Sequence, residues 1–239
     1  MHSVLENYKN GRYNSEPFPY IVIDNALPSD YYNQLDETFP KAQEIIKNQE
    51  YIQNFAYRKN ASQSLLENSI PEIWKSFISF HTSFEFVQEV YKVFMSDIIK
   101  FYPPMKNNLL QNDHCGVRFV KKNDFNLDTQ FVINTPVEKK SSVIEPHLDN
   151  PIEFFAGLLY MRNNNDDSNG GNLCTYKFKK NPIFYGKSRV KNENVSLIEE
   201  IEYKPNRLVL FINTLHSLHG VSEKDISNHY RKYVNIIGE

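Results

Sequence analysis

Apolar residues between positions 70 and 102 recur mostly at steps of three and four, the spacing of helices that bury one face. These positions are Ile73, Trp74, Phe77, Ile78, Phe80, Phe84, Val87, Val90, Tyr91, Phe94 and Ile98. A polar break at His81-Thr82-Ser83 predicts two helices rather than one, and Pro103-Pro104 ends the second. The stripe of aromatic residues predicts a helical layer that packs against a sheet.

The first 69 residues carry weaker patterns. Tyr20–Ile23 is apolar and β-branched, which predicts a short strand. A helix is expected to follow, with Ser29 or Asp30 as its N-cap and Phe39 near its end. Residues 50–69 are rich in Asn and Gln and have few apolar positions, so a loop is predicted there.

The second half of the chain alternates short apolar segments with polar ones. Strands are predicted over residues 115–121, 130–135, 142–147, 154–162, 172–178, 195–203, 207–213, 217–221 and 230–237. This spacing, without helical patterns in between, predicts an antiparallel sandwich or barrel. Three polar segments are expected to form the rim of a site: 123–127, 163–171 and 179–194.

Composition and charge narrow the range of functions. The chain has 239 residues, of which 40% are hydrophobic, enough for one domain with a full core. With 27 basic and 29 acidic side chains it has no basic excess, so nucleic acid is not an expected partner. No apolar run approaches the length of a membrane span, and a membrane is not an expected partner either. Two cysteines and an N-terminus without an apolar signal segment predict a cytoplasmic protein.

His147 and Asp149 form an H-x-D pair, which is the main chemical signal in the sequence. Residues i and i+2 point to the same side of a strand but to different sides of a helix. Pro146 and Pro151 exclude a helix through the pair, so we expect both side chains at the end of a strand. An imidazole and a carboxylate placed in this way can share one metal ion.

The third ligand is expected from the segment that follows the buried strand predicted over 207–213. His216 and His219 both lie there, and His219 is preferred because Gly220 permits the backbone to approach closely. Two histidines and one carboxylate form the facial set typical of non-haem Fe(II) oxygenases. Arg231 supplies a fixed cation for a dicarboxylate co-substrate.

Five segments follow one another in the second half of the chain: His147-Leu148-Asp149-Asn150-Pro151, Gly157-Leu158-Leu159-Tyr160-Met161-Arg162-Asn163, Gly170-Gly171-Asn172-Leu173, His219-Gly220-Val221 and Arg231. In this order they resemble the 2-oxoglutarate- and Fe(II)-dependent dioxygenases, and most of all the prolyl 4-hydroxylase-like branch. The resemblance covers roughly residues 115–239. It implies a double-stranded β-helix, or jelly roll.

The resemblance also implies roles for single residues. His147, Asp149 and His219 would bind Fe(II), and Arg231 would pair with the distal carboxylate of 2-oxoglutarate. Tyr160 matches a tyrosine whose hydroxyl bonds the same carboxylate, although a tyrosine in an apolar strand is as often part of the core. Collagen-type members use a lysine where this chain has Arg231. The chain therefore resembles the members that use arginine.

The activity implied is that of a hydroxylase. It would use O2 to hydroxylate an unactivated C–H bond of an amino-acid, peptidyl or other small substrate, releasing succinate and CO2, with ascorbate as a possible reductant. Relatives that halogenate lack the carboxylate ligand, so Asp149 favours hydroxylation. Two alternatives are a cupin-like metal enzyme that does not use 2-oxoglutarate and a non-catalytic jelly-roll binding module.

The expected organisation is a single domain over residues 1–239. Residues 1–110 would provide an N-terminal strand and helical support, and residues 111–239 the jelly-roll catalytic core. The predicted class is α+β with a mainly β core and the N-terminal helices packed on one sheet.

Overall fold

The computed structural model describes residues 1–107, 110–111, 114–121, 123–180 and 189–239. Within these residues the helices are α1 Ser29–Glu37, α2 Ala42–Ile46, α3 Ala61–Leu66, α4 Glu72–His81 and α5 Phe84–Phe101. The strands are β1 Arg12–Asn14, β2 Tyr20–Asp24, β3 Ala56–Lys59, β4 Cys115–Val117, β5 Phe125–Asn134, β6 Phe155–Tyr160, β7 Leu173–Phe178, β8 Val195–Ile201, β9 Arg207–Ile212, β10 His219–Val221 and β11 Arg231–Gly238. Short 3-10 turns cover Tyr8–Asn10, Pro103–Lys106 and Asn192–Asn194.

The strands form two sheets. The main sheet has the order β1-β2-β9-β6-β11-β5-β3, with β4 paired in parallel to β5 and the other pairs antiparallel. The minor sheet has the order β10-β7-β8. On the free side of β10, His147 pairs with His219 as an isolated bridge. The two sheets form the predicted double-stranded β-helix, and the α+β class with a mainly β core is confirmed.

The helices cover one face of the main sheet, as expected. Alternation along β5 shows the division: Phe131 and Ile133 belong to the core shared with the helices, whereas Val132 belongs to a second cluster between the two sheets. Trp74 of α4 is fully buried at the centre of the helical side, with its ring 4.6 Å from that of Phe131. We call the helix-covered side the outer face and the side toward the minor sheet the inner face.

The break between α4 and α5 falls where it was predicted. Thr82 follows the last residue of α4, and its hydroxyl donates to the carbonyl of Ile78. Ser83 caps α5 by accepting a hydrogen bond from the N–H of Phe86. The predicted cap of α1 is wrong, since Pro28 takes that position and Ser29 is already helical.

The loop predicted over residues 50–69 is also wrong, because β3 and α3 lie there. Their polar residues have local structural roles. The side chain of Asn60 accepts from the N–H of Gln63, and the side chain of Gln63 accepts from the N–H of Asn60. This reciprocal pair starts α3, so the Asn and Gln content that suggested a loop in fact caps a helix.

The strand predicted over residues 142–147 is absent among the described elements, and only isolated bridges at Ser141 and His147 remain. The backbone of this segment still bonds Val221 and Lys224, and the Ser142 hydroxyl bonds the carbonyls of Ile144 and Val221 beside these bonds. The predicted rim segment 123–127 is half strand, since β5 begins at Phe125. Of the rim segment 179–194, residues 181–188 lie outside the described residues. In the part of the chain that the structure describes, no helix has both the length and the apolar character needed to cross a membrane.

Candidate metal centre and co-substrate pocket

Two histidines from distant parts of the chain are held side by side by their backbones. The N–H of His147 donates to the carbonyl of His219 at 2.8 Å, and the N–H of His219 donates to the carbonyl of His147 at 3.1 Å. The ring centroids are consequently only 4.4 Å apart. His147 therefore lies at the edge of the minor sheet without belonging to a regular strand, which corrects the expectation of a strand end.

Gly220 makes this close approach possible. A Cβ atom at this position would lie 3.1 Å from the carbonyl carbon of Glu145 and from the nitrogen of Pro146. Any side chain would therefore press on the backbone that leads into His147. The glycine allows the two histidine-bearing segments to pair.

Both imidazoles are oriented in the same way. Nδ1 of His147 lies 2.9 Å from the carbonyl of Glu145, and Nδ1 of His219 lies 2.9 Å from the carbonyl of Ser217. A carbonyl only accepts, so each Nδ1 carries the proton and each Nε2 is left with a free lone pair. This arrangement fixes the tautomer that metal-binding histidines need.

Asp149 completes the cluster. Its two oxygens lie 3.5 Å from Nε2 of His147 and 3.5 Å from Nε2 of His219. Ligand atoms in cis positions, each about 2.1 Å from one ion, are about 3 Å apart. The three potential ligand atoms lie within 4.8 Å of one another, so one ion could bridge them with little adjustment.

The charge state of the cluster suits a cation. Burial lowers the pKa of His219 below its ordinary value, so the ring stays neutral and able to bind metal. Burial alone would raise the pKa of Asp149, but the two histidines outweigh it and the pKa lies below its ordinary value. The cluster therefore brings two imidazole Nε2 atoms and one carboxylate together.

Arg231 lies at the first position of β11 and is 2% exposed. Its Nε donates to the carbonyl of Gly171 at 2.7 Å, and one of its terminal nitrogens is buried without a partner. The guanidinium carbon lies 5.0, 5.0 and 4.8 Å from the ring centroids of Tyr160, Tyr203 and Tyr233. This cage of three tyrosines holds the cation rigidly in an apolar setting and supplies no anion.

Two buried hydroxyls in the space between the sheets also have no partner, those of Tyr160 on β6 of the main sheet and Thr175 on β7 of the minor sheet. Thr175 lies opposite His219 in the pairing of β7 with β10, and Tyr160 contacts Arg231 through its ring. Buried polar groups without hydrogen bonds each cost about 1–3 kcal/mol. An arginine and two hydroxyls of this kind would all be satisfied by one carboxylate.

The polar loop 163–171 contributes to this pocket through its last two residues. Gly170 and Gly171 have φ angles of +79° and +70°, in the left-handed region that glycine adopts without strain. A Cβ on Gly171 would lie 3.3 Å from Cδ of Arg231. The pair of glycines turns the chain so that the carbonyl of Gly171 reaches the guanidinium.

The remaining polar residues of the second half of the chain do not take part in the metal cluster. His216 is exposed and lies outside the cluster that brings His147, Asp149 and His219 together. Lys224 is buried beside Arg231 but donates to the carbonyl of His229. Cys174 is buried, and burial raises the pKa of its thiol to about 11, which fits a core residue.

Sequence reasoning missed two inner-face groups, Thr175 and Asn134. Asn134 pairs with Arg231 in the register of β5 and β11, is 3% exposed, and its side-chain oxygen has no partner. Nothing in the sequence around either residue marks it as functional. Only the pairing of the strands shows that they face the same space as Arg231.

The residues fit Fe(II) and 2-oxoglutarate. The fit rests on the fixed tautomers of the two histidines and on the unpartnered donors of Arg231, Tyr160 and Thr175. The two histidines and Asp149 together provide a facial group of three ligands. The unpartnered donors provide a place for a carboxylate.

The sequence matches no protein-family model and no curated protein. Solved structures do match. The prolyl 4-hydroxylase from Phytophthora capsici aligns with a TM-score of 0.50 at 17% identity, over 92% of this chain and 58% of its own. The chain thus spans little more than half of that enzyme's length.

Two further structures match over more of their length. The epimerase SnoN, solved with Fe3+, alpha ketoglutarate and nogalamycin RO, has a TM-score of 0.51 at 8% identity, covering 98% of this chain and 81% of SnoN. A putative oxygenase from Shewanella oneidensis has a TM-score of 0.51 at 10% identity, covering 91% of this chain and 80% of its own. At these identities the likeness establishes the fold. The chain shares the jelly roll of prolyl 4-hydroxylase and of SnoN, as the sequence resemblance predicted.

Proposed function

We propose that this protein is an Fe(II)- and 2-oxoglutarate-dependent dioxygenase that hydroxylates an unactivated C–H bond of a small substrate. The proposal is carried by one observation: the His147, Asp149 and His219 cluster borders the same space between the two sheets as Arg231 and its unpartnered neighbours. A metal-binding group and a carboxylate-binding group in one space are what a reaction with this co-substrate requires.

In this proposal His147, Asp149 and His219 hold the iron. When bound, iron and 2-oxoglutarate supply oxidative decarboxylation, in which one atom of O2 enters succinate and the other enters the hydroxylated product, with CO2 released. The backbone carbonyls of Glu145 and Ser217 hold the Nδ1 protons of the two histidines, which leaves the Nε2 lone pair of each ring for the metal. Ascorbate would serve as the reductant that keeps the iron ferrous.

Arg231, Tyr160 and Thr175 would hold the distal carboxylate of 2-oxoglutarate. The tyrosine cage excludes water from the guanidinium, which strengthens a charge-assisted bond. The rigid cage also fixes the direction of that bond, and the position of the co-substrate would follow from it. Arg231 is thus an anchor, and it takes no part in proton transfer.

Further support comes from the neighbours with the same fold, one of them named a prolyl 4-hydroxylase and another solved with Fe3+ and alpha ketoglutarate. Halogenating relatives lack the carboxylate ligand that Asp149 would provide here. The presence of Asp149 therefore favours hydroxylation. The substrate would be an amino acid, a peptide or another small molecule. We further propose that residues 1–239 act as one catalytic domain and that the enzyme works in the reducing cytoplasm.

The test is an anaerobic titration of Fe(II) and 2-oxoglutarate, followed through the visible charge-transfer band of the chelate. Wild-type protein should give a saturable band that His219→Ala abolishes and Arg231→Ala weakens. His216→Ala is the matched control, since His216 is exposed and lies only three positions from His219. No band from correctly folded wild-type protein would overturn the proposal and favour a cupin-like metal enzyme or a binding module.

A further inference from the structure

Basic residues are concentrated in one stretch of the chain, which starts in β7 of the minor sheet. Residues 177–191 contain basic side chains and no acidic one, although the whole chain has 27 basic and 29 acidic residues. The basic residues are Lys177, Lys179, Lys180, Lys187, Arg189 and Lys191. Lys187 lies outside the described residues, and of the others only Lys191 has an ion-pair partner among the described residues, Glu193. Charge of one sign without partners attracts a ligand of the other sign.

Three of these lysines line a cleft of about 450 Å³ beside the end of β7. Lys100, near the end of α5, lines the same cleft, and Glu16 is the only acidic residue among the described residues that line it. Lys179 donates to a backbone carbonyl, and none of the four lysines forms an ion pair within the described part of the chain. We call this site the basic cleft; its lysines are Lys100, Lys177, Lys179 and Lys180.

The basic cleft begins next to the cluster of His147, Asp149 and His219. Thr175 of β7 is the cross-strand partner of His219. Lys177 lies two residues further along β7, so it is on the same face as Thr175 and about 7 Å away. The cleft therefore starts about 7–10 Å from the cluster, which is the length of two or three residues of extended peptide.

Arg189 provides a cation on the other side of the cluster. It is the cross-strand partner of His147, and the N–H of Val190 donates to the carbonyl of Pro146 at 2.8 Å. Cross-strand partners project to the same face, so Arg189 begins on the face from which His147 reaches the cluster. Its side chain is exposed and forms no ion pair within the described residues. The metal cluster thus has Arg189 on one side and the basic cleft on the other.

We propose that the primary substrate is an acidic peptide segment, bound in an extended form with its carboxylates at the basic cleft and at Arg189. Its reacting residue lies between them, at the metal cluster. The inference rests on the proposed function, because it takes His147, Asp149 and His219 as the place of reaction. An acidic residue two or three positions from the reacting one would reach the cleft.

The spread of the cations favours a chain over a compact anion. Three strand spacings separate Lys177 from Arg189, namely β7 to β10, β10 to His147 and His147 to Arg189. This distance is about 14 Å, which one phosphate or one carboxylate cannot bridge. An extended peptide of four or five residues spans it and can carry a carboxylate for each cation. The cations are exposed, so each contact contributes little and several are needed.

The first experiment measures binding of a fluorescein-labelled hexaglutamate peptide to the metal-free full chain by fluorescence anisotropy. We expect saturable binding that weakens as the salt concentration rises. Lys179→Ala/Lys180→Ala and Arg189→Ala should each weaken it about threefold or more. The control is Lys139→Ala/Lys140→Ala, which removes the same charge from another pair of consecutive exposed lysines. No binding, or the same loss in the control, would overturn the inference.

Competition separates the acidic peptide from other anions. Unlabelled hexaglutamate should displace the labelled peptide at a lower concentration than inorganic phosphate or a hexathymidylate oligonucleotide. Displacement by phosphate at an equal or lower concentration would overturn the inference in favour of a compact anion. Stronger displacement by the oligonucleotide would overturn it in favour of nucleic acid.

The second experiment measures succinate release with Fe(II) and 2-oxoglutarate. The peptides carry three glutamates, two alanines and one of the twenty amino acids, in both chain directions. We expect at least one peptide to stimulate release, with a KM about tenfold lower than that of its glutamine counterpart. Lys179→Ala/Lys180→Ala should raise this KM and leave kcat unchanged. Stimulation by glutamine peptides or free amino acids alone would overturn the inference.

Failure of this inference can be told from failure of the proposed function. A saturable charge-transfer band without binding of hexaglutamate would leave the dioxygenase in place and remove the acidic substrate. If no band forms, the anisotropy titration decides the ligand alone. Binding that Lys179→Ala/Lys180→Ala and Arg189→Ala weaken would then support an acidic ligand, and no binding would overturn it.

Discussion

The two faces of the main sheet differ in how their polar groups are treated. On the outer face, both ring nitrogens of His81 and the hydroxyl of Thr82 have hydrogen-bond partners, whereas the hydroxyls of Thr129 and Tyr91 have none. In the space between the two sheets, Arg231, Tyr160 and Thr175 keep buried polar atoms without hydrogen-bond partners. The difference lies in the groups left unpaired, which are neutral hydroxyls on the outer face but a guanidinium with hydroxyls around it between the sheets.

The difference indicates where a ligand belongs. A buried donor without a partner costs about 1–3 kcal/mol, so several of them in one space reduce the stability of the ligand-free fold appreciably. A ligand that supplies the missing acceptors recovers this free energy on binding. The inner face is therefore the part of the molecule in which substitutions should change binding more than folding.

The largest expected effect is on the outer face. Trp74 is fully buried, and its ring packs edge-on against Phe39, Phe77 and Phe131. Trp74→Ala should lower the free energy of unfolding by about 3–5 kcal/mol, because it opens a cavity in the core. Urea denaturation measures the loss. The molecules that remain folded should bind iron as tightly as wild type, and a parallel loss of iron affinity would break the contrast between the faces.

The second-largest expected effect is on the affinity for the metal. Asp149→Ala should weaken iron binding by at least about 100-fold, since removal of a direct ligand exceeds the effect of removing an outer contact. The unfolding free energy without metal should change by less than about 1 kcal/mol. Equilibrium metal binding against a competing chelator measures the first quantity. Glu72→Ala is the control, because the carboxylate of Glu72 is 85% exposed and belongs to neither group of residues that could hold a metal ion.

The third prediction concerns His81 and pH. Burial lowers the pKa of His81 to about 3 from an ordinary value of 6.5. Between these values the unfolded chain binds a proton that the folded protein does not, so stability falls as the pH falls below 6.5. From pH 7 to pH 5 the loss from this group is about 2 kcal/mol.

The measurement is the unfolding free energy of wild type and of His81→Gln at both pH values. The variant cannot take up this proton, so its loss between pH 7 and pH 5 should be smaller by about 2 kcal/mol. Equal losses in the two proteins would show that His81 titrates normally. His81 would then not be shielded from water on the outer face of the folded protein.

Much of this arrangement could be predicted from the sequence. The periodic apolar positions located α4 and α5 and the break between them, because helical spacing survives in a single sequence. The H-x-D pair, His219 and Arg231 were found because their spacing is local or ordered along the chain. The structure brings the first three together at the minor sheet and places Arg231 on the face of the main sheet opposite them.

Other parts could not be predicted, for identifiable physical reasons. Asn60 and Gln63 look like loop residues until their reciprocal capping bonds are seen. The segment before His147 is β-branched but contains Pro146, and its backbone bonds to Val221 and Lys224 are too scattered to form a regular strand. Thr175 and Asn134 face the pocket only through the register of their strands with β10 and β11, which is a tertiary property.

Thr175→Val tests most sharply whether the unpartnered polar groups bind 2-oxoglutarate. The variant is measured for its unfolding free energy and for its affinity for 2-oxoglutarate in the presence of Fe(II). This isosteric change removes a buried hydroxyl that has no partner. We predict a free energy of unfolding that is unchanged or up to about 1 kcal/mol higher, and an affinity about tenfold lower. Thr82→Val, which removes a paired hydroxyl on the outer side, should do the opposite: a loss of about 1 kcal/mol with unchanged affinity. Lower stability with unchanged affinity in Thr175→Val would contradict the claim that the inner face is kept polar for the co-substrate.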